Sequence, residues 1–369
     1  MYLQTLATAV PDAAYSQADC WEIVKNSPVR QRLNRRSMLM LQAILRGDSG
    51  VQRRHFAVPD VGRIFDLTAD ELNAAYREAA PALAARALQR ALAADGSAPA
   101  ELAALFICSC TGYLCPGVTS YVAERMGVRS DAFLLDVVGH GCGAAVPAMR
   151  AASDFVAAHP GALVAVVAVE ICSAAFYIDD DPGVIVSACI FADGAAATLW
   201  RSRGGRSGLR CGRFHTLHRP EARDHLRFEQ REGKLRNLLH ATVPQVAAEA
   251  VEVLRAAEMQ AGGPVGRLVL HPGGRDVLDA VERRLGAADL SPSRWVLANY
   301  GNMSSPSVLF ALERALATDA GGAGDDWMLA SFGAGFSAHS CRLAFVPERR
   351  PLEPAAPGRA DPAIHVSAR

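Results

Sequence analysis

The sequence predicts an α/β fold, on two observations. Four apolar runs, residues 105–108, 133–138, 163–169 and 195–199, are separated by helical or turn-rich stretches. Uninterrupted apolar runs of that length are how strands buried on both faces look. A second alternating series follows residue 236, so the two halves of the 369-residue chain look alike in element order, without a close sequence repeat. Half of the residues are apolar, ample for a sizeable core.

Residues 1–65 are mixed and carry a basic patch, Arg30, Arg32, Arg35 and Arg36 followed by Arg53 and Arg54. A solvated face is its ordinary reading; a rim for an anionic cofactor is the functional one. Thr68-Ala-Asp-Glu71 has the spacing of a capping box and opens an Ala/Leu-rich helix to residue 94, interrupted or restarted at Pro81 and closed by Asp95-Gly96. The four strands come next, with an Ala-rich helical stretch to His159 between the second and third. Residues 201–236 are charged and read as loop. Beyond them the pattern predicts a helix over 243–259, a strand over 268–270 and a helix over 277–285. A strand near 295–298, a helix over 307–316, a break at Gly321, Gly322 and Gly324, and strands near 328–332 and 342–345 complete the series. The tail from residue 348, rich in Pro, Ala and Arg and without apolar periodicity, is expected to be disordered or loosely attached.

Composition narrows the function. Lys plus Arg and Asp plus Glu are 38 each, which removes the simple electrostatic case for a nucleic-acid or anionic-membrane partner. Nine cysteines, an odd number mostly in apolar surroundings, are no disulfide framework. The N-terminus does not read as a secretory signal, and no apolar run reaches the roughly 18 to 20 residues needed to cross a bilayer. A reducing cytoplasm is the expected location. Cys108-Ser-Cys110 with Cys115 lacks partners at zinc spacing, and no metal is expected.

Three short segments carry the chemistry. Gly139-His140-Gly141-Cys142-Gly143 follows an apolar run and precedes the Ala-rich stretch, which places Cys142 on a sharp strand-to-helix turn. There the helix dipole and unpaired N–H groups favour thiolate and an oxyanion formed beside it. His271-Pro-Gly-Gly274 and Tyr300-Gly-Asn302-Met-Ser-Ser-Pro306 each hold one polar residue in a Gly/Pro-rich setting. Taken singly, Cys142 reads as a buried cysteine, and His271 and Asn302 as turn residues. Together they describe a Cys/His/Asn site in which a thiolate near an imidazole accepts an acyl group from a thioester. An amide polarises a carbonyl oxygen without acid or base character. His140, two positions from the nucleophile on a tight turn, is secondary.

These segments resemble the type III polyketide synthases, also called the chalcone and stilbene synthase family, within the thiolase-fold condensing enzymes. Gly141-Cys142 resembles the family's nucleophile turn, His271-Pro272-Gly273-Gly274 its histidine segment, and Tyr300-Gly301-Asn302-Met303-Ser304-Ser305 its asparagine segment, in the family's order. Ile190-Phe191-Ala192-Asp193-Gly194 looks like the segment of the gatekeeper phenylalanine. Ser331-Phe332-Gly333-Ala334-Gly335 resembles the Gly-Phe-Gly-Pro-Gly loop that shapes the cyclisation pocket. Glu170-Ile-Cys172-Ser-Ala174-Ala175 resembles the pocket wall of bacterial members. The likeness runs from roughly residue 50 to 346. Ala334 stands in place of the loop proline and Asn237 in place of a second gate phenylalanine. Arg46, Arg53 and Arg54 are out of register with the cations by which plant members hold CoA phosphates.

The resemblance implies a thiolase-like αβαβα layered fold of two similar halves, 1–205 carrying the nucleophile and 206–347 carrying His and Asn, and a homodimer. It implies iterative decarboxylative condensation of malonyl-CoA onto an acyl-CoA starter held on Cys142, with cyclisation to a pyrone, resorcinol or phloroglucinol-type product and no permanently bound cofactor. His271 and Asn302 would donate hydrogen bonds to the thioester oxygen of the malonyl unit. Phe191 would gate the join between CoA tunnel and cavity, although a lone aromatic in an apolar strand is equally a core residue. Cys110, Thr111, Cys115, Cys172, Ser304 and Gly335 would line the cavity, and Arg46, Arg53, Arg54, Gly273 and Gly274 would face CoA. Three rivals stay open: a single-round ketoacyl synthase of the fatty-acid initiation type, a Cys-dependent thioester hydrolase, and a non-catalytic acyl-binding partner.

Overall fold

A nine-stranded mixed sheet runs through the chain. The computed structural model describes residues 1–204, 208–286, 288–319, 321 and 324–346; the tail from residue 348 lies outside the described residues. The first strands are β1 (Tyr2–Ala9), β2 (Ala14–Ser16), β3 (Arg53–His55), β4 (Leu102–Cys108), β5 (Phe133–Val137), β6 (Leu163–Glu170) and β7 (Gly194–Arg201). The later ones are β8 (Leu209–His218), β9 (Leu226–Arg231), β10 (Lys234–Leu239), β11 (Arg267–Leu270), β12 (Asp326–Gly333) and β13 (Ser337–Phe345). In space the large sheet has the order β11-β12-β13-β8-β1-β7-β6-β4-β5, with β9 and β10 forming a separate hairpin. The first half of the chain supplies five neighbouring strands and the second half four, joined where Tyr2 pairs with Arg210.

The helices are α1 (Gln17–Asn26), α2 (Val29–Arg32), α3 (Arg35–Arg46), α4 (Ala69–Asp95), α5 (Val118–Met126), α6 (Ala145–Ala158), α7 (Pro182–Ile190), α8 (Val243–Gly262), α9 (Arg275–Leu285), α10 (Ser291–Tyr300) and α11 (Ser307–Thr318). Alternate residues of β4 and β6 face two separate cores. Leu105, Ile107, Ala165 and Val167 pack with the α4 side chains, and Phe106, Cys108, Val164 and Val166 with those of α6 and α11. That double burial is why these strands read as unbroken apolar runs. Among the described residues, no helix is long and apolar enough to cross a membrane.

Helix α4 begins at the expected box: the Thr68 hydroxyl accepts from Glu71 N–H and the Glu71 carboxylate accepts from Thr68 N–H at 2.7 Å. Pro81 lies inside it without ending it. Two expectations fail. Residues 295–298 lie within α10 and are not a strand: Pro292 sits in its first turn and Gly301, at φ 72°, stops it. The charged stretch 201–236 is not a loop but holds β8, β9 and the first half of β10. The β9–β10 hairpin is half-buried, and its charged residues make cross-strand pairs such as Arg236 with Glu229 at 2.8 Å.

Candidate active site

Cys142 occupies a single 3-10 turn, Gly141–Gly143, between β5 and α6. Gly141 has φ 54°, in the left-handed region that favours glycine. Gly333, at the end of β12, lies so close that a Cβ there would collide with the His140 carbonyl and stand 3.0 Å from the Cys142 nitrogen. The N–H groups of Gly143 and Ala144 are spent inside the turn, on His140 O at 3.2 Å and Gly141 O at 3.1 Å.

His271 follows β11, tied by its N–H to Ala330 O of β12 at 2.9 Å, with its ring edge-on to Phe332 at 5.2 Å between centroids. Asn302 follows α10 and is paired through its main chain with the end of α7. Asn302 N–H donates to Ile190 O at 2.8 Å, and Ala192 N–H donates to Asn302 O at 2.9 Å. Its side-chain Nδ2 donates to Gly273 O at 3.1 Å, while Oδ1 accepts from Ser304 N–H at 2.8 Å. The amide orientation is thereby fixed, and one of its two N–H donors is left over.

All three side chains line one cavity of about 530 Å³. Phe191, Phe332, Gly273 and Gly274 share its wall, and Met40, Ala43, Ile44, Val186 and Leu239 make much of the rest apolar. Phe191 is also a wall of a second compartment of about 20 Å³, lined by Thr111, Cys172, Phe228 and Asn237. Asn237 Oδ1 is buried there without a hydrogen-bond partner.

Burial pushes the Cys142 thiol up to about 12, opposed by a hydrogen bond from the Ser304 hydroxyl and reinforced by the Glu170 carboxylate. Burial alone lowers His271 to about 3. Desolvation therefore favours a neutral thiol beside a neutral imidazole, against the expectation of a preformed thiolate. His271 is 1% exposed, and neither ring nitrogen has a hydrogen-bond partner among the described residues. Buried polar atoms are rarely left so.

Behind Cys142 lies a network centred on Glu170, to which the sequence reading gave no role of its own. Glu170, fully buried at the end of β6, accepts from Cys110 N–H at 2.9 Å, Thr111 N–H at 3.1 Å, Thr111 Oγ1 at 2.8 Å and Ser305 Oγ at 2.6 Å. Cys110 Sγ lies 3.3 Å from both Glu170 Oε1 and Ser304 Oγ. Burial raises the Glu170 carboxyl, which those donors oppose. A lone acid closing a wholly apolar strand was the available signal.

Of the residues expected to meet substrate, Thr111 and Cys172 line the small compartment, and Cys110 and Ser304 belong to the network beside Cys142. Cys115 is exposed and Gly335 lies in the β12–β13 turn; neither lines these two cavities. Arg54 does not face CoA. It is buried, donating to Ala188 O at 2.7 Å, Phe191 O at 3.1 Å and Gln17 Oε1 at 3.0 Å, and so pins the Phe191 turn. Arg46 and Arg53 are exposed and lie outside the cavity wall. The arginine on that wall is Arg275, engaged with Asp48 at 3.8 Å and Asp276 at 3.2 Å.

Residues 10–220 match the model of the FAE1/type III polyketide synthase-like proteins. The chain belongs to the type III polyketide synthase family. Residues 216–347 match the C-terminal domain of chalcone and stilbene synthases. This type III polyketide synthase is 30% identical over 343 residues to the 3,5-dihydroxyphenylacetyl-CoA synthase of Amycolatopsis orientalis, covering 89% of this chain and 90% of that protein. It is 30% identical over 325 residues to the 1,3,6,8-tetrahydroxynaphthalene synthase of Streptomyces peucetius subsp. caesius, over 83% of each. The crystal structure of the 1,3,6,8-tetrahydroxynaphthalene synthase of Streptomyces coelicolor A3(2) matches it with a TM-score of 0.84 at 25% identity, over 94% of this chain and 100% of that one. The fold is the thiolase-like layered arrangement that the resemblance implies, and the protein is an acyltransferase.

Proposed function

We propose that Cys142 takes a starter acyl group from an acyl-CoA and that malonyl-CoA loses carbon dioxide against His271 and Asn302. The enolate then attacks the Cys142 thioester over several rounds, before the chain cyclises to a pyrone, resorcinol or phloroglucinol-type product. The observation that carries this reading is a buried histidine with both ring nitrogens unpaired, sharing one cavity with a cysteine and an asparagine that keeps a spare donor.

In loading, the Cys142 sulfur attacks the acyl carbonyl as His271 takes the thiol proton, and His271 returns that proton to the departing CoA thiol. Loss of carbon dioxide then moves negative charge onto the malonyl thioester oxygen. A neutral imidazole N–H and the spare Asn302 N–H stabilise that charge more than the starting thioester. A lowered His271 suits the task, because an imidazole already neutral donates without surrendering a proton. Gly273 and Gly274 face the pantetheine arm. Phe191 separates the loading cavity from the small compartment, where Thr111, Cys172 and Asn237 select by size and polarity. The phenolic compounds for which two relatives are named support a cyclised aromatic product.

We also infer a homodimer. β5 is the last strand of the sheet, and Phe133, Leu134 and Leu135 on it are exposed, an apolar edge of the kind that pairs with another chain.

Cys142→Gln is expected to retain malonyl-CoA decarboxylation while losing condensation, because the donor pair survives; loss of both together overturns the division of labour. A panel of acyl-CoA starters with labelled malonyl-CoA, read by mass, separates the rivals. A one-round β-ketoacyl thioester alone indicates the ketoacyl synthase, and free acid without malonyl consumption the hydrolase. Product formation unchanged in Cys142→Ala indicates the non-catalytic partner.

A further inference from the structure

Positive charge in this net-neutral chain is concentrated beside the cavity mouth. Between Glu22 and Asp48 the sequence holds Lys25, Arg30, Arg32, Arg35, Arg36 and Arg46 and no acidic residue. The five arginines are exposed. Arg32 is bridged to Asp66 at 2.9 Å, but Arg30, Arg35, Arg36 and Arg46 have no ion pair among the described residues. Asp180 accepts from Asn34 N–H at 3.0 Å at the start of α3, within the positive stretch, and Asp48 lies just beyond its end.

Helix α3 joins this charge to the cavity. Met40, Ala43 and Ile44 stand in the cavity wall, Leu41 and Leu45 anchor the helix in the core, and on the outer side Leu39 is 56% exposed between Arg35 and Arg46. Among the described residues the wall carries a single arginine, Arg275, already engaged with two carboxylates. A nucleotide diphosphate lodged against that wall would meet no unpaired cation, whereas an uncharged pantetheine arm suits the apolar lining. Arg36, four residues before Met40, shares the cavity-facing stripe of α3, whereas Arg35 and Arg46 share the outer face with Leu39 and stand about 17 Å apart along the axis, too far apart for one diphosphate. Arginines around an exposed leucine are the composition of a protein-docking face, and their charge would steer an acidic partner.

We propose that the outer face of α2 and α3 docks a small acidic carrier protein, which brings the starter acyl group as a thioester on a tethered phosphopantetheine arm. The arm passes over Met40 and Ala43 toward Cys142. This rests on the reading of Cys142 as acyl acceptor. In the transfer the Cys142 sulfur bonds to the acyl carbon, the bond from that carbon to the arm's sulfur breaks, and the arm leaves as a thiol carrying the proton Cys142 gave up. No other reactant is consumed.

The test loads acetyl, hexanoyl, lauroyl and benzoyl groups either on an acidic holo-acyl carrier protein or on CoA, and follows acyl-Cys142 by intact-protein mass. For the accepted acyl group, kcat/KM from the carrier is expected to exceed that from CoA by about tenfold or more at low salt, and to fall steeply with ionic strength. R30E/R35E is expected to lower carrier transfer about tenfold while changing acyl-CoA transfer by less than about twofold, which also shows that the variant is folded. Carrier transfer no faster than CoA transfer, or a charge reversal that slows both donors alike, overturns the docking proposal and leaves the functional reading standing. No acyl-Cys142 from any donor overturns the functional reading, and the docking proposal with it.

Discussion

At His271 the absence of any partner on either ring nitrogen turns burial into a pH dependence. Its folded value is lowered from 6.5 to about 3, so the unfolded chain binds the proton more readily. The stability it contributes is complete above about pH 6.5 and is lost as pH falls toward 3, by about 1.4 kcal/mol per pH unit. Other buried groups, among them Asp193 with its carboxyl raised to about 6 by burial, act in the opposite sense, so the comparison needed is with a variant. His271→Gln is expected to lose about 2 kcal/mol less than the unsubstituted protein between pH 7 and pH 5, measured by urea unfolding. Equal losses would mean that the imidazole takes up its proton as readily in the folded site as in the unfolded chain. At Asn302, Asn302→Ala is expected to lower the kcat of malonyl-CoA decarboxylation about a hundredfold with little change in KM, since the donor acts on charge that develops in the transition state. A KM-only effect would make it a binding residue. The trio was legible because each member stands in a Gly/Pro-rich turn, where a polar residue is conspicuous. Glu170 was not, because its donors run from Ser109, 61 residues before it, to Ser305, 135 residues after it, and meet only after folding.

Among the elements, the strands buried on both faces were legible and those buried on one were not. β4 and β6 serve two cores and leave no polar residue to blur the run. β8 alternates buried and exposed residues with many charges, and α10 contains a four-residue apolar run too short to tell strand from helix by period. The turn that carries Cys142 also depends on a neighbour remote in sequence. Gly333→Ala is expected to destabilise the protein by about 1–3 kcal/mol and to lower acyl-Cys142 formation, because the added Cβ meets the His140 carbonyl and the Cys142 nitrogen. Unchanged melting temperature and acylation rate would show that β12 gives way there at no cost. The resemblance to a glycine-rich loop pointed to this segment, but not to its contact with the nucleophile.

For the whole molecule, the exposed side chains of β5 govern association. Sedimentation is expected to show a dimer and Leu135→Asp to shift it toward monomer, since a charge facing an apolar interface goes unpaired; a monomeric unsubstituted protein contradicts the inference. The path from sequence to whole molecule was shortest for the family and longest for the cations: Arg54 became a buried brace, whereas Arg46 and Arg53 stayed at the surface. Finally, the main-chain ties from Ile190 and Ala192 to Asn302 put the Phe191 doorway and the amide that meets nascent charge on one stiff strip. Shifting that strip to widen the passage would carry the amide off station. Descendants of this chain that admit bulkier guests should therefore do so by trimming the ring, with volume exchanged at the side chain and the course of the backbone left alone.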